Sequence, residues 1–243
     1  MMKRTGNATK IFPAADLTYE AVRSDWLNLP KSTARRSSGQ VAIVSRGRVS
    51  RQKPQAVRKE RRHRRAQTTA DKIDAAFVDQ LFRKPYDAIR VSDLVKNAHV
   101  GRATFYAHYA DKDALLRSQL DRVVLPLLVP LGEPCLIDAT ALLEHLRTSR
   151  RLFRTIALSR SAQPVVQASF ESYVRQMLFK RNGRVVSELE ASIVPHFISS
   201  TLQTLVTWWM QDGMRRSSRE MQKIFATLAG RGASALWNEG KPE

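Results

Sequence analysis

The sequence predicts an all-α chain: an N-terminal three-helix domain built on a helix-turn-helix, followed by a helical bundle. Three observations carry that expectation. Apolar residues recur at spacings of three and four along most of the chain beyond residue 67. No alternating strand pattern follows residue 90. Residues 94–112, LVKNAHVGRATFYAHYADK, read as a short helix, a tight turn, a second short helix and the opening of a third.

That stretch justifies itself residue by residue. Leu94, Val95 and Ala98 form a small apolar face. His99 breaks the helix, Val100 plugs the turn, and Gly101 is an acceptable N-cap. Phe105 and Tyr109, four apart, share a face directed at the core. Arg102, Thr104, Tyr106, Ala107 and His108 are left for the outward side. Such side chains donate to phosphates, reach base edges and touch a thymine methyl group. Asp111 is a good N-cap for the next helix, which carries Leu115, Leu116, Leu120, Val123 and Val124 to about Leu128, where Pro126 kinks or ends it.

The run GRATFYAHYADKDALL, residues 101–116, resembles the DNA-binding signature of the tetracycline-repressor-like (TetR) family. Thr104-Phe105-Tyr106-Ala107-His108-Tyr109 matches its aromatic run, and Asp111-Lys112 followed by Leu115-Leu116 matches the start of its fourth helix. With the outward face above, this implies Arg102, Ala103, Tyr106 and Ala107 at base edges. Thr104, His108, Lys112 and Tyr109 are expected to position the backbone, and the resemblance places Lys112 on a phosphate. Three positions depart from the pattern. The family usually has Gly where His99 stands, often Ser at Gly101, and commonly a Thr or Ser cap at Arg90. A non-Gly residue in a left-handed turn costs about 1–2 kcal/mol, though His tolerates it better than most. Arg90 at a helix start suits a phosphate contact; a solvated surface arginine is the competing reading.

Charge points to a polyanionic partner, double-stranded DNA first. The 243 residues carry 41 Lys and Arg against 22 Asp and Glu, a formal charge of +19. Residues 1–65 hold 17 of the basic and 4 of the acidic side chains, so +13 of that charge lies there. Residues 1–66 read as a basic tail without a core, interrupted by Pro13, Pro30, Gly39, Gly47 and Pro54. Its run at 58–65, RKERRHRR, would track phosphates just ahead of the DNA-binding domain; a mere disordered leader is the alternative. The domains are therefore 1–66, a helix-turn-helix unit at 67–112, and a regulatory and dimerisation unit at 113–237.

Helix one is expected from Thr69 to Arg83, capped around Thr68-Thr69-Ala70-Asp71, with Ile73, Ala76, Phe77 and Leu81 inward. Tyr86 and Ile89 anchor the connection. Further helices follow: one capped by Asp138 with Leu142, Leu143 and Leu146; one over 150–158; one from Pro164 to the Asn182-Gly183 stop; one over 187–211 ended by Gly213. Ser217-Ser218-Arg219-Glu220 is a capping box opening the last helix, with Met221, Ile224, Phe225 and Leu228.

Residues 204–225 resemble the C-terminal region of a Trp-rich TetR subgroup, in which the last two long helices form a four-helix bundle with a second subunit. That implies a homodimer contact through Leu205, Trp208, Trp209, Met221 and Phe225. Trp208 and Trp209 are adjacent and point about 100° apart, so one small bundle buries one more easily than both; both in a monomer core is the alternative. The resemblance also implies a small-molecule effector, with Phe153, Phe170, Tyr173 and Met177 as candidate lining, although these look like ordinary core.

Other chemistry is set aside. The histidines at 63, 99, 108, 145 and 196 lack metal-pair spacing, Cys135 is the lone cysteine and reads as an apolar filler, and no nucleophile has a base at recognisable spacing. No enzyme, cofactor or metal is expected, and the single cysteine fits the cytoplasm. Residues 191–211 are uncharged but too polar for a lone membrane span. The expected function is a sequence-specific, repressor-type DNA-binding transcriptional regulator on a near-palindromic operator. The alternative is a non-specific nucleic-acid binder working through its basic tail.

Overall fold

The computed structural model of the chain describes residues 53–131, 137–182 and 188–233. The expectations for residues 1–52, Cys135, Gly183 and residues 234–237 fall outside the described residues. Nine α-helices are present among those described: α1 Lys53–Arg83, α2 Val91–Ala98, α3 Arg102–His108, α4 Lys112–Gln119, α5 Thr140–Thr148, α6 Arg150–Ala157, α7 Ala162–Asn182, α8 Glu188–Gln211 and α9 Ser218–Phe225. The fold is all-α.

Two expectations about local structure are corrected. α1 begins at Lys53, so the backbone of the basic run is helical and Thr68-Thr69 lies inside a helix rather than capping one. Pro54 stands in the first turn, where a missing N–H costs nothing, and residues 55–83 contain neither Gly nor Pro to stop propagation. A short antiparallel pair, β1 Val129–Pro130 with β2 Ile137–Asp138, closes the connection from α4 to α5. Two-residue strands are too short to leave a periodic trace in sequence.

The first three helices enclose Ile73, Phe77 and Leu81 of α1, Leu94 and Ala98 of α2, and Phe105 of α3, all buried. Tyr86, in the turn between α1 and α2, is fully buried with its ring edge-on to Phe77 at 6.2 Å. Its hydroxyl donates to Asp113 Oδ1 at the start of α4, 2.5 Å away. Burial, more than this carboxylate, pushes the Tyr86 phenol far above its ordinary range, so it stays a donor. After α4 the chain widens into a π-helical turn, Leu120–Val124, then a 3-10 turn over Leu125–Leu127 in which Pro126 ends the helical path.

The widened turn carries Arg122 to α1. Asp74 is buried there, and Arg122 Nη2 pairs with its Oδ2. Tyr109, just beyond α3, donates its hydroxyl to Asp74 Oδ1 at 2.8 Å. Arg122 also donates to Gln119 Oε1 at 3.1 Å.

In the body, α7 and α8 form the long helical pair. Gln222 of α9 clamps β2: its Oε1 accepts from Ala139 N–H at 2.9 Å and its Nε2 donates to Ile137 O at 3.0 Å. The Ser217 cap closes as the sequence implies, with its Oγ accepting from Glu220 N–H at 3.2 Å and Glu220 accepting from Ser217 N–H at 2.7 Å. Trp209, Met221 and Phe225, expected at a subunit contact, are buried inside this single chain. Trp209 Nε1 donates to Arg216 O at 3.0 Å, which fixes the ring in its own core. Trp208 is 45% exposed and Leu205 is half-buried.

Two consequences are measurable. Removing Asp74 takes the buried acceptor away from the partly exposed Arg122 and Tyr109, so Asp74→Ala should lower stability by about 1–3 kcal/mol. A denaturation midpoint that hardly moves would contradict this role. Burial also pushes the His145 imidazole down to about 4 from its ordinary 6.5. In between, the unfolded chain binds a proton that the folded one refuses. Stability is therefore complete above that window and falls as pH drops through it, by about 3 kcal/mol from this group. Urea midpoints across the window should show the decline, and His145→Met should flatten it.

Candidate nucleic-acid interface

The turn between α2 and α3 is built from three residues. His99 closes α2 in the left-handed region, φ 53°, and Val100 N–H donates to Val95 O at 3.0 Å. Gly101 is the N-cap of α3 with φ −75°, an ordinary extended backbone. A Cβ on Gly101 would meet only Thr104 Oγ1 at 3.7 Å, so the Ser common in the resembling family would fit.

At the start of α2, Arg90 N–H donates to Asp93 Oδ2 at 3.0 Å. Lys84 Nζ lies 2.5 Å from the same oxygen. The hydrogen bonds from Lys84 and from the Arg90 backbone hold the Asp93 carboxyl below its ordinary range. α2 is thus capped from within by Asp93. The Arg90 side chain is exposed.

α3 inserts one side chain into the core. Phe105 is fully buried, worth about 2–3 kcal/mol. Its neighbours then face outward: Arg102, Ala103, Thr104, Tyr106 and Ala107 are exposed, with Tyr106 at 55%. The Tyr106 ring stands edge-on to Phe105 at 5.5 Å. His108 is half-exposed, its ring 6.3 Å from that of Tyr109. Seven residues of helix span about 10 Å, short enough to lie in a major groove about 12 Å wide.

One expected backbone contact is revised, and a second residue has a structural partner besides. The Tyr109 hydroxyl is spent on Asp74 and the ring is half-buried, so Tyr109 holds the fold rather than a phosphate. Lys112 Nζ donates to Tyr86 O at 3.1 Å and sits 4.2 Å from the centre of the Tyr86 ring. It ties α4 to the turn before α2 and keeps two N–H donors for an outside group.

Sequence reasoning missed Asp87. Its Oδ1 accepts from Ser159 Oγ at 2.9 Å, and from Ser161 N–H and Oγ at 3.2 and 2.5 Å. Those bonds, Ser161's hydroxyl first, hold its carboxyl below the ordinary range. The α6–α7 loop is thereby latched to the turn before α2. No sequence signal marks partners this far apart.

The expected ligand lining is split. Phe153 and Phe170 line an apolar cavity of about 50 Å³ with Leu120, Val124, Ile156 and Met210, whereas Tyr173 and Met177 do not reach it. They lie on α7 as partly buried packing residues instead. Among the described residues no group of three or more His, Cys, Asp or Glu is placed to hold a metal ion, and no helix is long and apolar enough to cross a membrane.

Comparison with known proteins identifies two matched regions. Residues 73–118 match the signature described as bacterial regulatory proteins, tetR family, and residues 139–230 match one described as a transcriptional regulator C-terminal region. A stretch of 60 residues is 40% identical to the uncharacterized HTH-type transcriptional regulator YxbF of Bacillus subtilis (strain 168). That stretch is 24% of this chain and 16% of the length of that relative. The solved structure of native NalD, the secondary repressor of the MexAB-OprM multidrug efflux pump in Pseudomonas aeruginosa, aligns with 69% of this chain and 97% of its own. The identity there is 19% and the TM-score 0.40.

The left-handed turn is open to direct test. His99→Gly should relieve its strain and match or exceed the parent in thermal stability, whereas the β-branched His99→Val should lose about 1–2 kcal/mol. Equal melting of all three proteins would contradict the turn geometry.

Proposed function

This chain belongs to the tetR family of bacterial regulatory proteins, and on that premise we propose a homodimeric repressor that binds a near-palindromic operator and is released by a small molecule. The observation that carries the DNA reading is the exposed face of α3. Phe105 is buried while Arg102, Ala103, Tyr106 and Ala107 project together into solvent. Arg102 suits guanine O6 and N7, and the two alanines suit thymine methyl groups. Arg90, Thr104, His108 and the remaining donors of Lys112 suit flanking phosphates.

One such helix reads only a few base pairs, and each mismatch costs about 1–3 kcal/mol, so a two-fold pair is needed for useful discrimination. The surface that supports pairing is the outer stripe of α8. Ile193, Phe197 and Trp208 are exposed along it, and Leu228 is exposed beyond α9. Thr204, also exposed, completes spacings of four, seven and four. The second subunit thus meets Trp208 and its neighbours, not the buried Trp209, Met221 and Phe225.

Release follows from the inner cavity. At about 50 Å³ it is closed to an ordinary ligand, since such pockets take about 300–1,000 Å³. An occupant must push apart Leu120 and Val124 on one side and Phe153 and Ile156 on the other. α6 carries the last two and runs into Ser159, the latch on Asp87. Displacing α6 would therefore pull at the turn that sets α2.

Selection of bound sites from random DNA tests this directly. The expected product is a pair of inverted half-sites, retained by a protein lacking residues 1–52. Arg102→Ala should relax preference at one base pair per half-site, at a cost of about 1–3 kcal/mol on the best site. Arg90→Ala should weaken all sequences alike and reduce the salt slope by roughly one. Unselected sequences bound only through the basic segment would instead favour the non-specific reading.

A further inference from the structure

A second cavity, of about 370 Å³, opens beside α6 and is lined by Arg150, Arg151, Arg154, Met210, Gly213 and Met214. The three arginines are exposed, and they form no ion pair with any described residue. Two of the three fall in the first turn of α6, the end of a helix that disfavours cations. The opposite wall comes from the end of α8 and the bend after it. Gly213 and Met214 both hold positive φ, 73° and 57°. A Cβ placed on Gly213 would meet nothing within 4 Å, so the backbone there borders open space. A methionine held in the left-handed region is strained, and such strain collects at sites that do something besides fold.

Met210 joins this cavity to the inner one, since its side chain lines both. On α6 the arginines border the outer space, while Phe153 and Ile156 of the same helix border the inner. The inner lining is aliphatic and aromatic for most of its extent, and methionine is the side chain that most readily changes shape to admit an apolar group. The two spaces thus form a charged mouth and an apolar interior, divided by one adaptable residue.

We infer that this chain binds an amphipathic organic anion, with its carboxylate or phosphate head on Arg150, Arg151 and Arg154 and its apolar body passing Met210 into the inner cavity. Guanidinium groups match such heads with paired N–H donors in a fixed fork. The concave shape and size of the mouth fit a small molecule rather than a polymer. Entry of the body past Met210 presses on Phe153 and Ile156, and so moves α6 against its latch at Asp87. That consequence rests on the effector reading above; the binding itself does not.

Calorimetry on the full chain, with octanoate as the charged probe, octanol as its uncharged match and acetate as the head alone, tests the inference. Octanoate should bind at least about tenfold more tightly than either control, and the triple variant R150A/R151A/R154A should lose that advantage. The arginines lie at the surface, so the variant should keep the parent's circular dichroism and melting. Equal binding of octanoate and octanol, binding of acetate as tight as octanoate, undiminished octanoate binding by the triple variant, or no octanoate binding by the parent would each overturn it. A gel shift on the selected operator separates the two readings. Octanoate binding without specific DNA binding sinks the regulator reading alone; specific DNA binding without octanoate binding sinks this one alone.

Discussion

Asp74 sits buried on α1 with both carboxylate oxygens engaged by groups from elsewhere in the chain. Tyr109 reaches it from the end of α3, and Arg122 reaches it from the widened turn after α4. A short helix of seven residues has little packing of its own to set its direction. Phe105 supplies depth, but a single buried ring leaves rotation about its axis loosely set. The Tyr109–Asp74–Arg122 chain supplies the second point of attachment. With two points set, the face carrying Arg102, Ala103, Tyr106 and Ala107 has one orientation relative to the body. A carboxylate in low dielectric is costly unless fully partnered, so the arrangement is close to all-or-none.

Other polar contacts between the first three helices and the body follow the same plan. Tyr86 joins Asp113, Lys112 joins the Tyr86 carbonyl, and Asp87 joins Ser159 and Ser161. Each spans a junction between elements, and none lies within one helix. The apolar cores on either side are insensitive to small rotations, because hydrophobic contact is not directional. Hydrogen bonds to carboxylates are directional, so they set the angle at which the two parts meet. In the proposed coupling, a shift of α6, whose wall faces the inner cavity, reaches the first domain through its packing against α1 as well as through the Asp87 latch. The coupling proposed for ligand and DNA therefore needs only a shift of one short helix.

Sequence chemistry foretold much of the local structure and little of what joins it. The turn at His99, the extended cap at Gly101, the Asp111 and Ser217 caps and the stop at Gly213 all follow from preferences acting over three or four residues. Core positions on α1 follow from helical spacing for the same reason. The Asp74–Tyr109 bond links residues 35 apart and the Asp87–Ser159 bond residues 72 apart, so no window along the chain contains either. With Asp74 out of view along the sequence, the Tyr109 hydroxyl reads as free for a phosphate. Trp208 and Trp209 show the limit from another side. Adjacency says that they diverge, but only the assembled bundle decides that Trp209 turns inward to donate to Arg216 O. Pro54 in a sequence signals a helix breaker, but its place in the first turn makes it harmless and α1 extends to Lys53.

In the proposed function the exposed side of α3 enters a major groove. Methylation interference on the selected operator addresses it without any substitution in the protein, because a methyl group on guanine N7 projects into that groove alone. The account predicts that methylated guanines block binding in two clusters, centred about 10 base pairs apart or a multiple of that and related by two-fold symmetry. Binding indifferent to guanine N7 methylation at every position of the site would contradict it.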